Sequence, residues 1–220
     1  MNTSRTLLIL ASISCMAAPN FATASSTRHF KVTLANGMAA NVLSPFLLVA
    51  LPAGKVLFEV GKPATPGIAT LAETGNTSPL EKELAQDPTV IATAKAQGGP
   101  TFAGDQRSVE IELSWLDVER GATLNLVSMI GRSNDSFVAL NSFPLRRLSR
   151  FGKTQIGATN YDAGSEENSG NLADFGPNGH PVQGAEGHIS FDRGLNPRGD
   201  APDTLSWGPN AGLVTLEETY

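Results

Sequence analysis

The segment NYDAGSEENSG (160–170) gathers acidic side chains that can do chemistry. Asp162, Glu166 and Glu167 stand among glycines and amides, and no lysine or arginine occurs between 154 and 192. Two like charges about 4 Å apart repel each other by roughly 1 kcal/mol in water and by several times more near a protein surface. Such a group of carboxylates suits a solvated loop, a pair of catalytic acids or half of a cation site.

A cation site is one interpretation of these acids. A hard cation such as Ca²⁺ binds roughly six to eight oxygen atoms from carboxylates, amides, carbonyls and water. Gly164 allows a tight turn, so that Asp162 and Glu166 can point to one side. A second loop, GRSNDSF (131–137), places Asp135 just before a predicted strand. Loops at one end of a sandwich converge, so the two acidic loops can close on one ion. The residues alone leave all three roles open.

Other metal and catalytic sites have weaker support. His180 and His188 are too few for a zinc site without cysteine, although His180 with Asp174 or Glu186 would bind a metal weakly. The spacing does not fit an EF-hand, and the Gly-x-Ser-x-Gly, phosphate-loop and His-Glu-x-x-His motifs do not occur. A hydrolase that uses Asp135 with Glu166 stays open as an alternative, but we predict no catalytic role.

A basic run, RRLSRFGK (146–153), precedes the acidic segment and carries four positive charges with no acid. It can neutralise the acidic residues in three dimensions, as a bound cation also can. It can instead bind an acidic polysaccharide or a lipid headgroup, although a solvated strand end is the commoner role. Trp115 and Trp207 can line a sugar-binding face, but strand tryptophans more often lie in the core.

Residues 1–24 have the features of a signal peptide. Arg5 precedes the apolar stretch LLILASISCMAA (7–18), and Ala-Thr-Ala (22–24) is a pattern that signal peptidases cut. The apolar stretch is too short to span a membrane. Cleavage would remove Cys15, the single cysteine, so the mature chain would fold without disulfides. We therefore predict a secreted or periplasmic protein.

The formal net charge of the chain is −5, and cleavage would remove Arg5 and no acid, so the mature chain would have a net charge of −6. A mildly acidic exported protein has no electrostatic reason to bind nucleic acid or an anionic membrane. No later apolar run is long enough to cross a membrane, so we predict no transmembrane segment after cleavage.

The elements that position these residues are predicted to be mostly strands, because short runs of Val, Ile, Leu, Thr and Phe alternate with turns rich in glycine and proline. We predict strands at 29–36, 44–51, 107–116, 123–131, 136–145, 155–161, 187–192 and 212–218. Residues 66–76 and 78–86 predict short helices, the second with Ser78 as N-cap and Glu81 completing a capping box. The whole predicts an all-β, antiparallel β-sandwich with one or two short helices in an early insertion.

The stretches LSPFLLVA, GKPATPGIATLAETGN, SNDSFVALN and YDAGSEEN, in this order and spacing, resemble the spondin amino-terminal domain family, especially its exported bacterial members. The resemblance covers one domain, residues 28–220. It implies a sandwich similar to calcium-dependent C2 modules, with Ca²⁺ bound at one end by three acids. Carried over to this chain, these acids are Asp135, Asp162 and Glu166. The third is commonly aspartate in the animal members.

The resemblance also sets the expected function. It implies a non-catalytic calcium-binding module that mediates extracellular or cell-envelope binding or adhesion, with an extracellular or envelope protein or polysaccharide as partner. We expect a monomer. The chain lacks the cysteines of the animal domains and has no thrombospondin-type repeats, so adhesion functions that depend on those parts do not transfer. A carbohydrate- or matrix-binding module with an incidental metal is the second interpretation.

Overall fold

The structure is a computed structural model that describes residues 26–220, so the predicted signal peptide lies outside the described residues. Within this range, nine strands and three short α-helices form the fold. The strands are β1 (Thr27–Asn36), β2 (Leu47–Leu51), β3 (Ala92–Lys95), β4 (Gln106–Ser114), β5 (Thr123–Met129), β6 (Ser136–Pro144), β7 (Lys153–Asp162), β8 (Ser190–Phe191) and β9 (Gly212–Thr219); the helices are α1 (Pro66–Thr74), α2 (Ser78–Gln86) and α3 (Trp115–Glu119).

The strands pair in the order β3-β2-β5-β6-β7-β9-β1-β4, and β8 pairs with the end of β7. All of these strand pairs are antiparallel. Strand β7 joins the two halves, because residues 153–158 pair with β9 and residues 159–162 pair with β6. The result is a nearly closed, sandwich-like sheet, which confirms the predicted all-β antiparallel class.

The core lies on both sides of the central strands. Alternate residues of a strand face opposite sides, and β2 uses both: Leu48 and Ala50 pack into the core between the two halves of the sheet, whereas Leu47 and Val49 face a second core under α1 and α2. All of β2 and β5 is therefore buried. Burying one such aliphatic side chain stabilises the fold by about 1.5–3 kcal/mol.

The early helical insertion lies where the sequence predicts it, but its second cap is shifted by one residue. The N-cap of α2 is Thr77 rather than Ser78, and Ser78 is the first helical residue. The side chain of Thr77 donates a hydrogen bond to the Glu81 carboxylate. The predicted capping box between Ser78 and Glu81 is therefore wrong: Thr77 and Glu81 are joined side chain to side chain, and the Thr77 side chain caps no backbone N–H at the start of α2.

Strand β4 ends earlier than its hydrophobic alternation predicts. Ser114 accepts a hydrogen bond from the backbone N–H of Asp117 at 3.0 Å and donates one to its carboxylate at 2.6 Å. This cap starts α3 at Trp115, which is half exposed. The expectation that Trp115 lies in the core is therefore wrong, because a local cap overrides the alternation. The same expectation is correct for Trp207, which is buried. Strand β3 is an element that the sequence does not predict.

Candidate functional site

The two acidic loops meet where β6 begins and β7 ends. The β6–β7 register pairs Ser136 with Asp162, and the Ala163 backbone N–H donates to the Asp135 carbonyl oxygen at 3.1 Å. Gly164 follows with a φ of +66°, a left-handed conformation that suits glycine. Its N–H donates to Oδ1 of Asp162 at 2.7 Å. Antiparallel pairing and this tight turn together bring Asp135 and Asp162 to one place.

Asp135 is 1% exposed, yet only one of its two carboxylate oxygens is hydrogen-bonded. Oδ2 accepts from the Ser165 N–H at 2.7 Å, the Ser165 hydroxyl at 3.1 Å and the Glu166 N–H at 3.0 Å. Oδ1 is buried and has no partner among residues 26–220. An unpaired buried polar atom costs about 1–3 kcal/mol, more when it is charged. A ligand that contacts Oδ1 would remove this cost.

Asp162 is 8% exposed, and the charge of Asp135 acts on its carboxylate. Burial raises the pKa of Asp162 to about 7, and the charge of Asp135 adds to the effect. Burial also raises the pKa of Asp135, although the hydrogen bonds from Glu166 and Ser165 oppose the change. Both shifts have the same main cause: each carboxylate is held out of water, and the charges that act on it are those of other acids rather than of a base.

The compensating charge is not supplied by a basic side chain of the described residues. The ion pairs among them join Arg28 to Glu218, His29 to Glu112, Lys95 to Glu81, Lys153 to Glu217 and His180 to Asp174. None reaches Asp135 or Asp162. The basic run, which the sequence offers as a partner for these acids, lies at the other end of β7, which begins at Lys153 and ends at Asp162.

Glu166 has a different placement. Its backbone N–H donates to Oδ2 of Asp135 at 3.0 Å, and its carboxylate lies close to the backbone of Val182. Burial and the charge of Glu73 raise the pKa of Glu166 to about 7. Among residues 26–220, no group of three or more His, Cys, Asp or Glu side chains lies close enough to hold a metal ion. The structure thus brings Asp135 and Asp162 together, and the Glu166 ligand stays a prediction.

Asp192 is an additional acid at this end, and the sequence does not single it out. Its Oδ1 accepts from the Gly194 N–H at 2.8 Å, and its Oδ2 accepts from the Trp207 indole at 2.5 Å. Burial raises the pKa of Asp192, and its charge contributes to the raised pKa of Asp162. The sequence feature that could have pointed to Asp192 is its position at the end of the predicted strand 187–192. In the structure, part of this segment forms β8, which pairs with the end of β7.

His180 and Asp174, the weaker candidate for a metal site, lie close together in the structure. Within residues 26–220, they are not part of a group of three or more potential metal ligands. Nδ1 of His180 lies 3.6 Å from Oδ1 of Asp174, and the Asp174 carboxylate already accepts from Ser169 and Asn171. The pKa of Asp174 is lowered, mainly by these hydrogen bonds. An ordinary surface ion pair explains this arrangement.

The fold and the paired acids define a small all-β module with an acidic end. The family model described as Spondin_N matches residues 39–173, so the chain belongs to the spondin amino-terminal family. This is a family of extracellular-type, non-enzymatic modules. No curated protein matches the chain significantly. In residues 26–220, every helix is too short or too polar to cross a membrane.

The matched region contains Asp135, Asp162 and Glu166 but ends before Asp192. The strands that complete the fold after it, β8 and β9, therefore lie outside the match. The core of the candidate site is built by the part of the chain that defines the family.

Proposed function

We propose that this chain is an exported, non-catalytic module that binds one calcium ion through Asp135 and Asp162. The unpartnered Oδ1 of buried Asp135, beside the carboxylate of Asp162, is the observation that carries the proposal. A hard dication takes carboxylate oxygens as ligands and offsets the charge of both acids. Asp135 and Asp162 fit this ion in chemistry, burial and charge.

The remaining ligands are assigned by chemistry. Calcium needs more oxygens than two carboxylates supply, so neighbouring carbonyls, amides or water complete its shell. We assign Glu166 as the third acid. Its carboxylate lies close to the backbone of Val182 and must turn to reach the ion, which makes it a weaker contributor than Asp135 or Asp162.

The ion holds the loop before β6 to the loop after β7. It thereby fixes the acidic end of a monomeric domain that contacts an extracellular or envelope component, a protein or a polysaccharide. This adhesion role agrees with the extracellular type of the family. The absence of catalysis in this proposal follows the non-enzymatic type of the family.

A shared proton is the physical rival to calcium. A carboxyl with a pKa of about 7 can stay protonated and donate a hydrogen bond to its neighbour. The proton and the ion relieve the same repulsion, but only the ion makes stability depend on chelation.

Thermal unfolding at pH 7.5 with calcium and with EDTA tests the proposal. Calcium bound only by the folded state stabilises it by RT ln(1 + [Ca²⁺]/Kd), about 2.7 kcal/mol at a hundredfold excess over Kd. We expect a higher Tm with calcium by several degrees, which corresponds to about 2–4 °C per kcal/mol for a domain of this size. Metal analysis of the purified protein should find one calcium per chain.

Asp162→Asn is the informative variant, because the amide oxygen can still accept from Gly164 N–H while the charge is lost. It should remove most of the calcium response and leave the protein in EDTA as stable as wild type or more so. Glu167→Gln is the matched control, since Glu167 is an exposed acid of the same loop. Identical wild-type melting with calcium and with EDTA would rule out the proposed site.

A further inference from the structure

A groove at the other end of the molecule has the features of a second binding site. Its volume is about 750 Å³, and it lies between the start of β1, the β4–α3 junction, the segment between β6 and β7 and the end of β9. Cavities of roughly 300–1,000 Å³ are typical of small-ligand sites. The basic run that remains unused at the acidic end lines this groove with Arg146 and Arg150.

The floor of the groove is fixed by one buried carboxylate. Glu218 accepts from Arg28 Nε at 2.6 Å and Nη2 at 2.7 Å, and from the Phe151 N–H at 2.9 Å. This bidentate pair satisfies Arg28 and ties β1 and β9 to the basic segment. The groove is therefore preformed, and Arg28 is not free to neutralise a ligand.

Phe151, which lines the groove, has a backbone conformation that is unfavourable for its residue type. Its φ is +56°, a left-handed value that glycine adopts readily and bulky residues adopt rarely. Phe151 is 45% exposed, and its ring stacks on that of Tyr220 with centroids 4.4 Å apart and an interplanar angle of 21°. Backbone strain of this kind tends to persist at ligand sites. Trp115, 50% exposed, adds a second aromatic surface to the groove.

The charges of the groove favour an anion. Within the described part of the chain, neither Arg146 nor Arg150 takes part in an ion pair. The Arg150 guanidinium lies 5.2 Å from the centroid of the Phe151 ring, so cation and aromatic face form one surface. Glu119 is the remaining acid in the lining besides Glu218. Because Arg28 and Glu218 neutralise each other, the open side-chain charges are Arg146 and Arg150 against Glu119, which is a positive balance in a protein of net negative charge.

We propose that this groove binds an acidic saccharide, with Arg146 and Arg150 on its carboxylate or sulfate and Phe151 and Trp115 on the apolar face of a sugar ring. Guanidinium groups pair with planar anions through two parallel hydrogen bonds. Aromatic faces supply contact area with little entropy cost. A lipid surface fits less well, because the aromatic rings line a concave groove and the acidic protein as a whole is repelled by an anionic bilayer.

This assignment specifies the partner class of the extracellular module proposed above, but its residues are independent of the calcium site. At about 3.3 Å per residue, the two ends of the ten-residue strand β7 are roughly 30 Å apart. Saccharide binding should therefore persist in EDTA. Loss of the calcium response would leave this proposal standing, and loss of saccharide binding would leave the calcium proposal standing.

Calorimetric titration of the purified chain tests the groove, with tetrasaccharides of hyaluronan, polygalacturonate and heparin as acidic probes and chitotetraose as neutral control. We expect at least one acidic probe to bind and chitotetraose not to bind. Arg150→Gln should weaken binding on the order of tenfold, since it removes a charge-assisted contact, and added salt should weaken the wild-type interaction.

Phe151→Gly separates binding from folding. Glycine adopts positive φ without strain, so the variant should be as stable as wild type while its affinity falls on the order of tenfold. Phe191→Ala is the control, an exposed phenylalanine at the acidic end. Absence of binding to all three acidic probes at millimolar concentration would overturn the proposal. Equal affinity of Phe151→Gly and wild type, or binding only to phosphatidylserine vesicles, would overturn it too.

Discussion

Asp162 is the residue whose charge state governs the acidic end. Its folded pKa of about 7 lies above the ordinary aspartate value of 3.8, so between these pH values the native state holds a proton that the unfolded chain has lost. Stability falls with rising pH wherever the native state binds more protons. In the absence of metal, we therefore expect stability to decline from about pH 4 to pH 7. The Asp162 proton accounts for at most about 1.4 kcal/mol per pH unit, and the Glu166 proton, with a folded pKa of about 7 as well, adds to the decline.

Urea unfolding in EDTA at several pH values measures this slope. Asp162→Asn should make the slope shallower without abolishing it, because the Glu166 proton remains, whereas Glu167→Gln should leave the slope unchanged. With calcium present the decline should be smaller, because the ion binds the ionised carboxylates and stabilises them. A metal-free protein that gains stability between pH 5 and pH 7 would contradict the assignment of a buried, repelling pair.

The sequence identifies Asp135 and Asp162 because residue type, loop position and family resemblance agree on them. It cannot indicate where the third carboxylate points, because the Glu166 side chain lies close to the backbone of Val182, sixteen positions further along the chain. Asp192 escapes sequence reasoning for a related cause: its carboxylate accepts a hydrogen bond from the indole of Trp207, fifteen positions further along the chain. The local sequence pattern identifies candidate acids, but contacts with residues further along the chain determine where their side chains point.

At the scale of elements, the turn after β7 depends on Gly164. A Cβ at this position would lie 2.2 Å from the carbonyl oxygen of His188, a backbone atom that cannot move alone. Gly164→Ala should therefore displace the acidic loop from the segment before β8. We expect a loss of about 2–4 kcal/mol of stability, within the range for severe steric and backbone changes, and loss of the calcium response. Chemical unfolding with and without calcium measures both effects.

Gly187→Ala is the matched control for steric overlap. Gly187 also has a positive φ, +77°, but a Cβ added there would have no atom of the described residues within 4 Å beyond its own chain neighbours. Its replacement should cost only the left-handed strain, about 1–2 kcal/mol, and keep the calcium response. Equal losses in the two variants would mean that φ, rather than the contact with His188, limits residue 164.

The elements are predictable where alternation and turn signals agree. Strands β1, β5, β6, β7 and β9 lie close to their predicted positions, as do α1 and α2. Prediction fails where one local interaction outweighs a pattern: the Ser114 cap ends β4 before Trp115. Strand β3, with the sequence Ala-Thr-Ala-Lys, has too little apolar contrast to be recognised and is defined by its pairing with β2.

At the scale of the whole molecule, β7 separates two ends of opposite character. Asp135 and Asp162 lie where it finishes, and the arginine-lined groove lies where it starts. The sequence shows the charge segregation as a basic run followed by an acidic stretch, but leaves open whether the two neutralise each other. The strand between them answers this, because an extended segment of this length keeps its ends apart.

The groove end should therefore respond to acid independently of calcium. Hydrogen bonds and charge from Arg28 lower the pKa of Glu218 below its ordinary value of 4.5. Its stabilising contribution is thus fully present at neutral pH and is lost as the pH falls below about 4.5 through the lowered pKa. Glu218→Gln leaves Arg28 half-paired and should cost about 2–4 kcal/mol at pH 7.

Urea unfolding of wild type and Glu218→Gln at pH 7 and pH 3 compares the two states. The difference between them should shrink at pH 3, because the wild-type carboxyl is then protonating and the ion pair with Arg28 is being lost. The Tm gain from calcium at pH 7 should be the same in both proteins, since distant sites contribute additively. A stability difference that stays equal at both pH values would assign the effect of Glu218 to packing, and a reduced calcium gain would show that the two ends of the sandwich are coupled.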